Sequence, residues 1–93
     1  MKVEFEWDDA KAKTNLNSHG VSFSLAKSVF RDVFAVEFVD DREDGEERFV
    51  TIGMADGEVL LSVVYTERAE RIRIISARRA TQNEQDEYFE KNA

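Results

Sequence analysis

Residues 58–79 read EVLLSVVYTERAERIRIISARR, and two patterns meet inside them. Up to Thr66 the run is apolar almost throughout, which suits a central strand buried on both faces. Glu67–Glu70 form a tight polar turn. From Arg71 to Ala77 the pattern alternates, with Arg71 and Arg73 opposite Ile72 and Ile74. That is the period of a half-buried strand. Two strands joined by a short turn make an antiparallel hairpin, so this stretch puts a sheet at the centre of the fold.

Working outward, Phe49, Val50 and Ile52 form the preceding strand, and Ala55-Asp56-Gly57 is its hairpin signal. Phe34, Val36 and Phe38 alternate with Ala35, Glu37 and Val39 in another strand. The acidic stretch from Asp40 to Glu46 between them reads as a solvated loop with Gly45 as its turn residue. At the N-terminus Val3, Phe5 and Trp7 alternate with Lys2, Glu4 and Glu6. Asp8 is an N-cap, a helix follows to His19, and Gly20 supplies its stop. Ser22 starts a second helix, with Phe23, Leu25, Ala26, Val29 and Phe30 at helical spacing, ending near Arg31–Val33. At the C-terminus Thr81 and Glu84 form a capping box before a polar helix to about Asn92, anchored by Tyr88 and Phe89. The order β-α-α-β-β-β-β-α predicts an α+β fold, an antiparallel meander with helices packed on one face. With 93 residues the chain is expected to be one domain, residues 1–93.

Composition removes several classes of function. There are no cysteines and one histidine, which excludes a disulfide framework, a thiolate metal site and an all-histidine zinc site. No apolar run approaches the roughly 20 residues that span a bilayer, and the N-terminus is not a signal peptide, so a cytoplasmic protein with no membrane partner is expected. GxGxxG, Walker, GxSxG and HExxH motifs are missing, and the acidic loop lacks the calcium-loop ligand order, so no cofactor or metal is expected. The net charge of -7 argues against nonspecific nucleic-acid binding by the chain as a whole. The charge is unevenly spread, however. Residues 37–47 hold seven acids and one arginine, and residues 68–79 hold five arginines and one glutamate.

Those arginines are the main candidate site. Arg71 and Arg73 share a strand face, Arg68 lies in the turn before it, and Arg78 and Arg79 follow it. Guanidinium forks match phosphate oxygens and stay charged at any relevant pH. The competing reading is a solvated face whose arginines pair with the acidic loop or a helix. His19 is the natural general acid or base by its pKa, and equally a helix C-terminal residue. Tyr65 ends the apolar strand, where it could hold a phosphate or serve as a wet-edged aromatic. Glu46, Glu47 and Arg48 form a further charged cluster at a strand start.

Several short segments together resemble the BrnT toxin family of bacterial type II toxin–antitoxin systems. They are Phe5-Glu6-Trp7-Asp8, Asn15 with His19-Gly20-Val21-Ser22-Phe23, Ala26 with Val29-Phe30, and Gly45-Glu46-Glu47-Arg48-Phe49. They continue with Ile52-Gly53, Val63-Val64-Tyr65-Thr66-Glu67-Arg68, and Arg73-Ile74-Ile75-Ser76-Ala77-Arg78 with Ala80-Thr81. The resemblance implies a compact fold like that of RelE-type toxins and ribonuclease activity that halts translation. It also implies a BrnA-like antitoxin whose ribbon-helix-helix part binds operator DNA, the toxin reaching DNA only through it. Arg68 and Arg78 fall on family motif positions. Ser18 stands where the family often has lysine.

On that resemblance the expected chemistry is metal-independent attack of a ribose 2′-OH on the adjacent phosphate. Arg68 and Arg78 would clamp the phosphate, with Arg73, Arg79 and Arg48 helping to bind RNA. Tyr65 would orient it, and His19 or Glu47 would move the proton. The alternative expectation is a noncatalytic toxin-like module that only binds its antitoxin and co-represses the operon.

Overall fold

The computed structural model describes residues 3–40 and 46–93. The predicted acidic loop and its Gly45 turn fall mostly on residues 41–45, outside the described residues. The elements are β1 (Glu4–Glu6), α1 (Asp9–His19), α2 (Phe23–Lys27), a 3-10 turn (Ser28–Arg31), β2 (Val36–Asp40), β3 (Arg48–Ala55), β4 (Val59–Arg68), β5 (Arg71–Arg79) and α3 (Gln82–Lys91). They build one five-stranded sheet in the order β1-β5-β4-β3-β2. From β2 to β5 the strands form the antiparallel meander read from the sequence. β1 departs from that pattern, since it pairs parallel to β5, Glu4 with Arg71 and Glu6 with Arg73.

The helices occupy both faces of the sheet, not one. Alternation along β4 sends Leu61, Val63 and Tyr65 to one side and Leu60, Ser62, Val64 and Thr66 to the other. On the first side α1 and α2 cover a core of Phe23, Ala26, Val29, Leu61, Val63, Ile74 and Ala77. Gly53 lets the 3-10 turn approach β3, because a Cβ there would meet Val29 Cγ1 at 2.7 Å. On the second side α3 packs Tyr88 with Val36 and Ile52, and Phe38 and Leu60 flank them. Phe89, expected as a second anchor, is 55% exposed. Adjacent helical residues point about 100° apart, so Tyr88 takes the sheet and Phe89 turns away.

Local signals explain most element ends. The Asp8 and Ser22 side chains accept from Lys11 N and Leu25 N, and Gly20 closes α1 in the left-handed region. Thr81 and Glu84 form the complete capping box of α3. The second helix is shorter than its apolar spacing suggests, because it tightens into the 3-10 turn at Ser28. There the Ser28 hydroxyl donates to Leu25 O at 2.6 Å and accepts from Asp56 N at 2.9 Å. β4 and β5 run longer than read, leaving only Ala69 and Glu70 in the turn, both at positive φ.

Two polar side chains knit the layers. β1 covers only Arg71–Arg73 of the β5 edge. At Ala77 the buried Asn15 takes over: its amide nitrogen donates to Ala77 O at 2.7 Å, and its amide oxygen accepts from Ala77 N at 3.1 Å. The same nitrogen also donates to Val21 O at 3.0 Å. Asn15 thus does for β5 what a neighbouring strand would do, and docks α1 in the process. Asp32 plays a similar part at the other edge. Its carboxylate accepts from Phe34 N, Met54 N and the Tyr88 hydroxyl at 2.9, 2.8 and 2.7 Å. Burial pushes the Asp32 carboxyl up, but these three bonds outweigh it and hold its pKa below the ordinary value.

Asn15→Ala is expected to cost about 2–4 kcal/mol in denaturant unfolding, since it orphans buried backbone groups. A lowered native-state carboxyl pKa stabilises the fold above the unfolded value and loses that contribution as pH falls through the folded one. Asp32→Asn should therefore flatten the decline of melting temperature below about pH 4, where the unfolded carboxyl, near 3.8, begins to take up protons.

Candidate functional site

α3 covers only the β2–β3 side of its face, and the rest of that face is charged. The register aligns one row of residues across it. Asp40 pairs with Arg48, Thr66 with Arg73, and Arg73 with Glu6. Arg48 lies one step beyond the Phe49–Tyr65 pair, which sets it beside Thr66. The row therefore reads acid, arginine, hydroxyl, arginine, acid from β2 to β1, with neighbouring strands about 4.8 Å apart. Arg68 and Arg71 pair one step further along the same face.

Carboxylates attend these arginines. Arg73 Nη1 donates to Glu6 Oε2 at 2.8 Å. Arg71 lies 3.3 Å from Glu4 and 3.8 Å from Glu6. Arg68 donates twice to Glu46 Oε1, at 3.1 Å from Nε and 2.9 Å from Nη2. The solvated-face reading thus has its pairs. The pairs of Arg68 and Arg71 are exposed and worth little, about 0–1 kcal/mol, whereas the Arg73–Glu6 pair is partly buried, under a third exposed on each side.

Thr66 is different. It is 1% exposed, and its hydroxyl has no hydrogen-bond partner among the described residues. A buried hydroxyl left unpaired costs about 1–3 kcal/mol.

Arg78, though on the same face, stands apart. Arg68 and Arg78 lie towards opposite ends of the hairpin, Arg68 opposite Arg71 and Arg78 opposite Ser62. Seven residues of strand separate Arg71 from Arg78, about 23 Å. The two arginines expected to clamp one phosphate do not converge, because β5 continues to Arg79 and keeps them apart. Arg78 instead forks onto Glu84, Nη1 to Oε1 at 2.7 Å and Nη2 to Oε2 at 3.0 Å. This fork is the main reason that the Glu84 carboxyl titrates below its ordinary range. The same carboxylate accepts from Thr81 N at 2.8 Å, so Arg78 ties the start of α3 to the sheet. Arg79 is exposed at the end of β5, beside Leu60 and Phe89 in a shallow cleft.

Tyr65 and His19 lie on the α1–α2 side of the sheet. Tyr65 is 4% exposed, between Phe30 at 5.0 Å and Phe49 at 5.4 Å. Its hydroxyl donates to Glu37. Burial, then the bond to Glu37, pushes its pKa well above the ordinary value. The sheet separates this phenol from the arginine row, and its hydroxyl is anchored on Glu37. His19 is exposed at the end of α1 and lines a shallow cleft with Ser18 and Ile75. Glu47 is exposed, directly before Arg48. Thr66 and Glu6 enter the site without having been singled out as functional in the sequence. Their signal is a matter of register, which fixes that Thr66 falls between Arg48 and Arg73.

Among the described residues no group of three or more His, Cys, Asp or Glu side chains could hold a metal ion. No helix there is long and apolar enough to cross a membrane. The model of the family described as "Ribonuclease toxin, BrnT, of type II toxin-antitoxin system" matches residues 7–84. The chain belongs to the BrnT family. The crystal structure of the Brucella abortus ribonuclease toxin BrnT is similar, with a TM-score of 0.68 and 25% identity, over 87% of this chain and 100% of that one. A search among curated proteins found no match. BrnT membership makes this a ribonuclease toxin by family, and a type II toxin has an antitoxin as its partner.

In this BrnT chain the Arg78–Glu84 fork is half exposed, which limits its strength. A double-mutant cycle with Arg78→Ala and Glu84→Gln, read by denaturant unfolding, should give a coupling of about 1 kcal/mol. Loss of far-UV helical signal should accompany both single changes, since both weaken the start of α3.

Proposed function

We propose that this chain cleaves RNA without metal, by attack of a ribose 2′-OH on the adjacent phosphate, and inhibits translation by doing so. The observation that carries the reading is the row Arg48–Thr66–Arg73, with Arg68 beside it, on a face that α3 leaves open. In-line attack builds negative charge on the phosphate oxygens, and fixed guanidinium groups stabilise that charge. Arg73, Arg48 and Arg68 form the phosphate grip. Phe38 and Val50 line the neighbouring groove beneath α3 and offer an apolar seat for an unstacked base. Glu47 takes the 2′-OH proton, being the predicted proton-handling residue that adjoins the row. Arg78 acts indirectly, by holding α3. The partners are RNA, on or off the ribosome, and a BrnA-like antitoxin whose ribbon-helix-helix part carries the pair to operator DNA. The setting is the bacterial cytoplasm, and the fold is of the RelE type.

A second reading has its own observation, the carboxylates already seated on Arg68, Arg71 and Arg73. On that reading the face is neutralised, and the chain only binds its antitoxin.

Incubation of the purified chain with structured RNA in EDTA separates the two. Cleavage leaving 2′,3′-cyclic phosphate ends supports the catalytic reading. Arg73→Ala should then slow cleavage by about 10²–10³ while the far-UV spectrum is unchanged. No cleavage in EDTA, either of free RNA or of ribosome-bound message, would favour the noncatalytic module.

A further inference from the structure

Thr66 presents a contradiction of materials. Its neighbours Val63 and Val64 show that the strand accepts valine, which has the shape of threonine without the oxygen. A purely structural position would take valine here, since the threonine hydroxyl is buried and finds no partner among the described residues. The buried hydroxyl of Ser28, by contrast, is used twice. The register gives the position of Thr66 a meaning. It lies between Arg48 on β3 and Arg73 on β5, and Arg73 leans away from it, toward Glu6 on β1. An oxygen-bearing anion drawn between the two arginines would meet the unpaired Thr66 hydroxyl.

We infer that Thr66 is a phosphate-binding residue whose hydroxyl donates to a non-bridging oxygen of an RNA phosphodiester held between Arg48 and Arg73. This rests on the ribonuclease reading above and deepens it. In the free protein the hydroxyl is shielded from solvent. When the phosphate arrives, Arg73 exchanges the Glu6 carboxylate for a phosphate oxygen and draws the anion onto Thr66. Thr66 then supplies a neutral, directional bond between two charged ones. The three donors together fix the phosphate for in-line attack better than two flexible arginines alone. No bond is made or broken at Thr66, and it neither takes nor gives up a proton.

The test uses the full chain as wild type, Thr66→Val, Thr66→Ser and Arg73→Ala. Three quantities are read: the denaturant midpoint, cleavage of structured RNA under single-turnover conditions, and fluorescence-anisotropy binding of a 2′-O-methyl oligoribonucleotide, which cannot undergo the attack. Thr66→Val should keep or raise the denaturant midpoint, since it removes an unpaired buried oxygen. It should nevertheless cleave about 10- to 100-fold more slowly and bind the 2′-O-methyl RNA more weakly. Thr66→Ser should recover most of both functions at a lower midpoint. A Thr66→Val protein that cleaves and binds like wild type, while Arg73→Ala does neither, overturns the role of Thr66 and leaves the ribonuclease reading standing. A Thr66→Val protein that loses stability and function together, without rescue by serine, shows a structural hydroxyl and also overturns it. If wild type binds the oligonucleotide without cleaving anything, the catalytic reading fails, and the affinity of Thr66→Val still decides the inference. If wild type neither binds nor cleaves, both fall.

Discussion

The architecture turns on one amide. β5 carries both β1 and β4, yet β1 reaches only its first three residues, leaving the remaining edge without a strand partner among the described residues. Backbone groups at such an edge must be satisfied or stay wet. Asn15 satisfies those of Ala77, and its third bond, to Val21 O, fixes the link that follows α1. The buried face of the sheet can then close with α1 and α2 upon it. Register within the β4–β5 hairpin shifts between Val64 and Tyr65, three residues before Ala77 is met on the opposite strand. The shift lets both Ile74 and Ala77 face the same core.

That closure divides the labour between the two sides of the sheet. The α1–α2 side is packing: aromatic pairs link Phe5 to Phe30 and Trp7 to Phe23, and Tyr65 anchors its hydroxyl on Glu37. The α3 side is half packing and half charge. α3 is held by Tyr88 on Asp32, by the capping box, and by Arg78 on Glu84, all near one end of the sheet. The other end is left for the arginine row. Arginines adjacent in sequence motifs therefore sit in different settings, Arg78 on the Glu84 carboxylate of α3 and Arg73, partly buried, on that of Glu6.

Much of this is legible in the chain itself. The hairpin of β4 and β5, the caps at Asp8, Ser22 and Thr81, and the stop at Gly20 follow from local chemistry that the fold respects. β1 is legible as a strand, but alternation says nothing of its partner or direction. Those depend on the α1–α2 connection and on Asn15, whose contact with Ala77 spans 62 positions. Tyr88 and Phe89 read alike, and only the helix phase chooses between them. The arginine group is legible as a composition, whereas its division is not: a strand two residues longer than expected separates Arg78 from the rest. Thr66 is hidden for the same reason. Its significance lies in cross-strand neighbours, and an isolated threonine in an apolar strand carries no mark of them.

The carboxylates on the arginine face also determine what kind of ligand it can select. Glu4, Glu6 and Glu46 occupy arginines in the free protein, so an anion gains only the difference between its own contacts and those it displaces. A single exposed charge gains almost nothing from such an exchange. A ligand that spans several arginines and fits their forks gains at each site. On the proposed phosphate-binding role of this face, the internal acids would act as a threshold, disfavouring simple anions and diffuse polyanions relative to shaped, multidentate ones. In a chain of net charge -7, recognition on this face is a contest decided by geometry more than by charge.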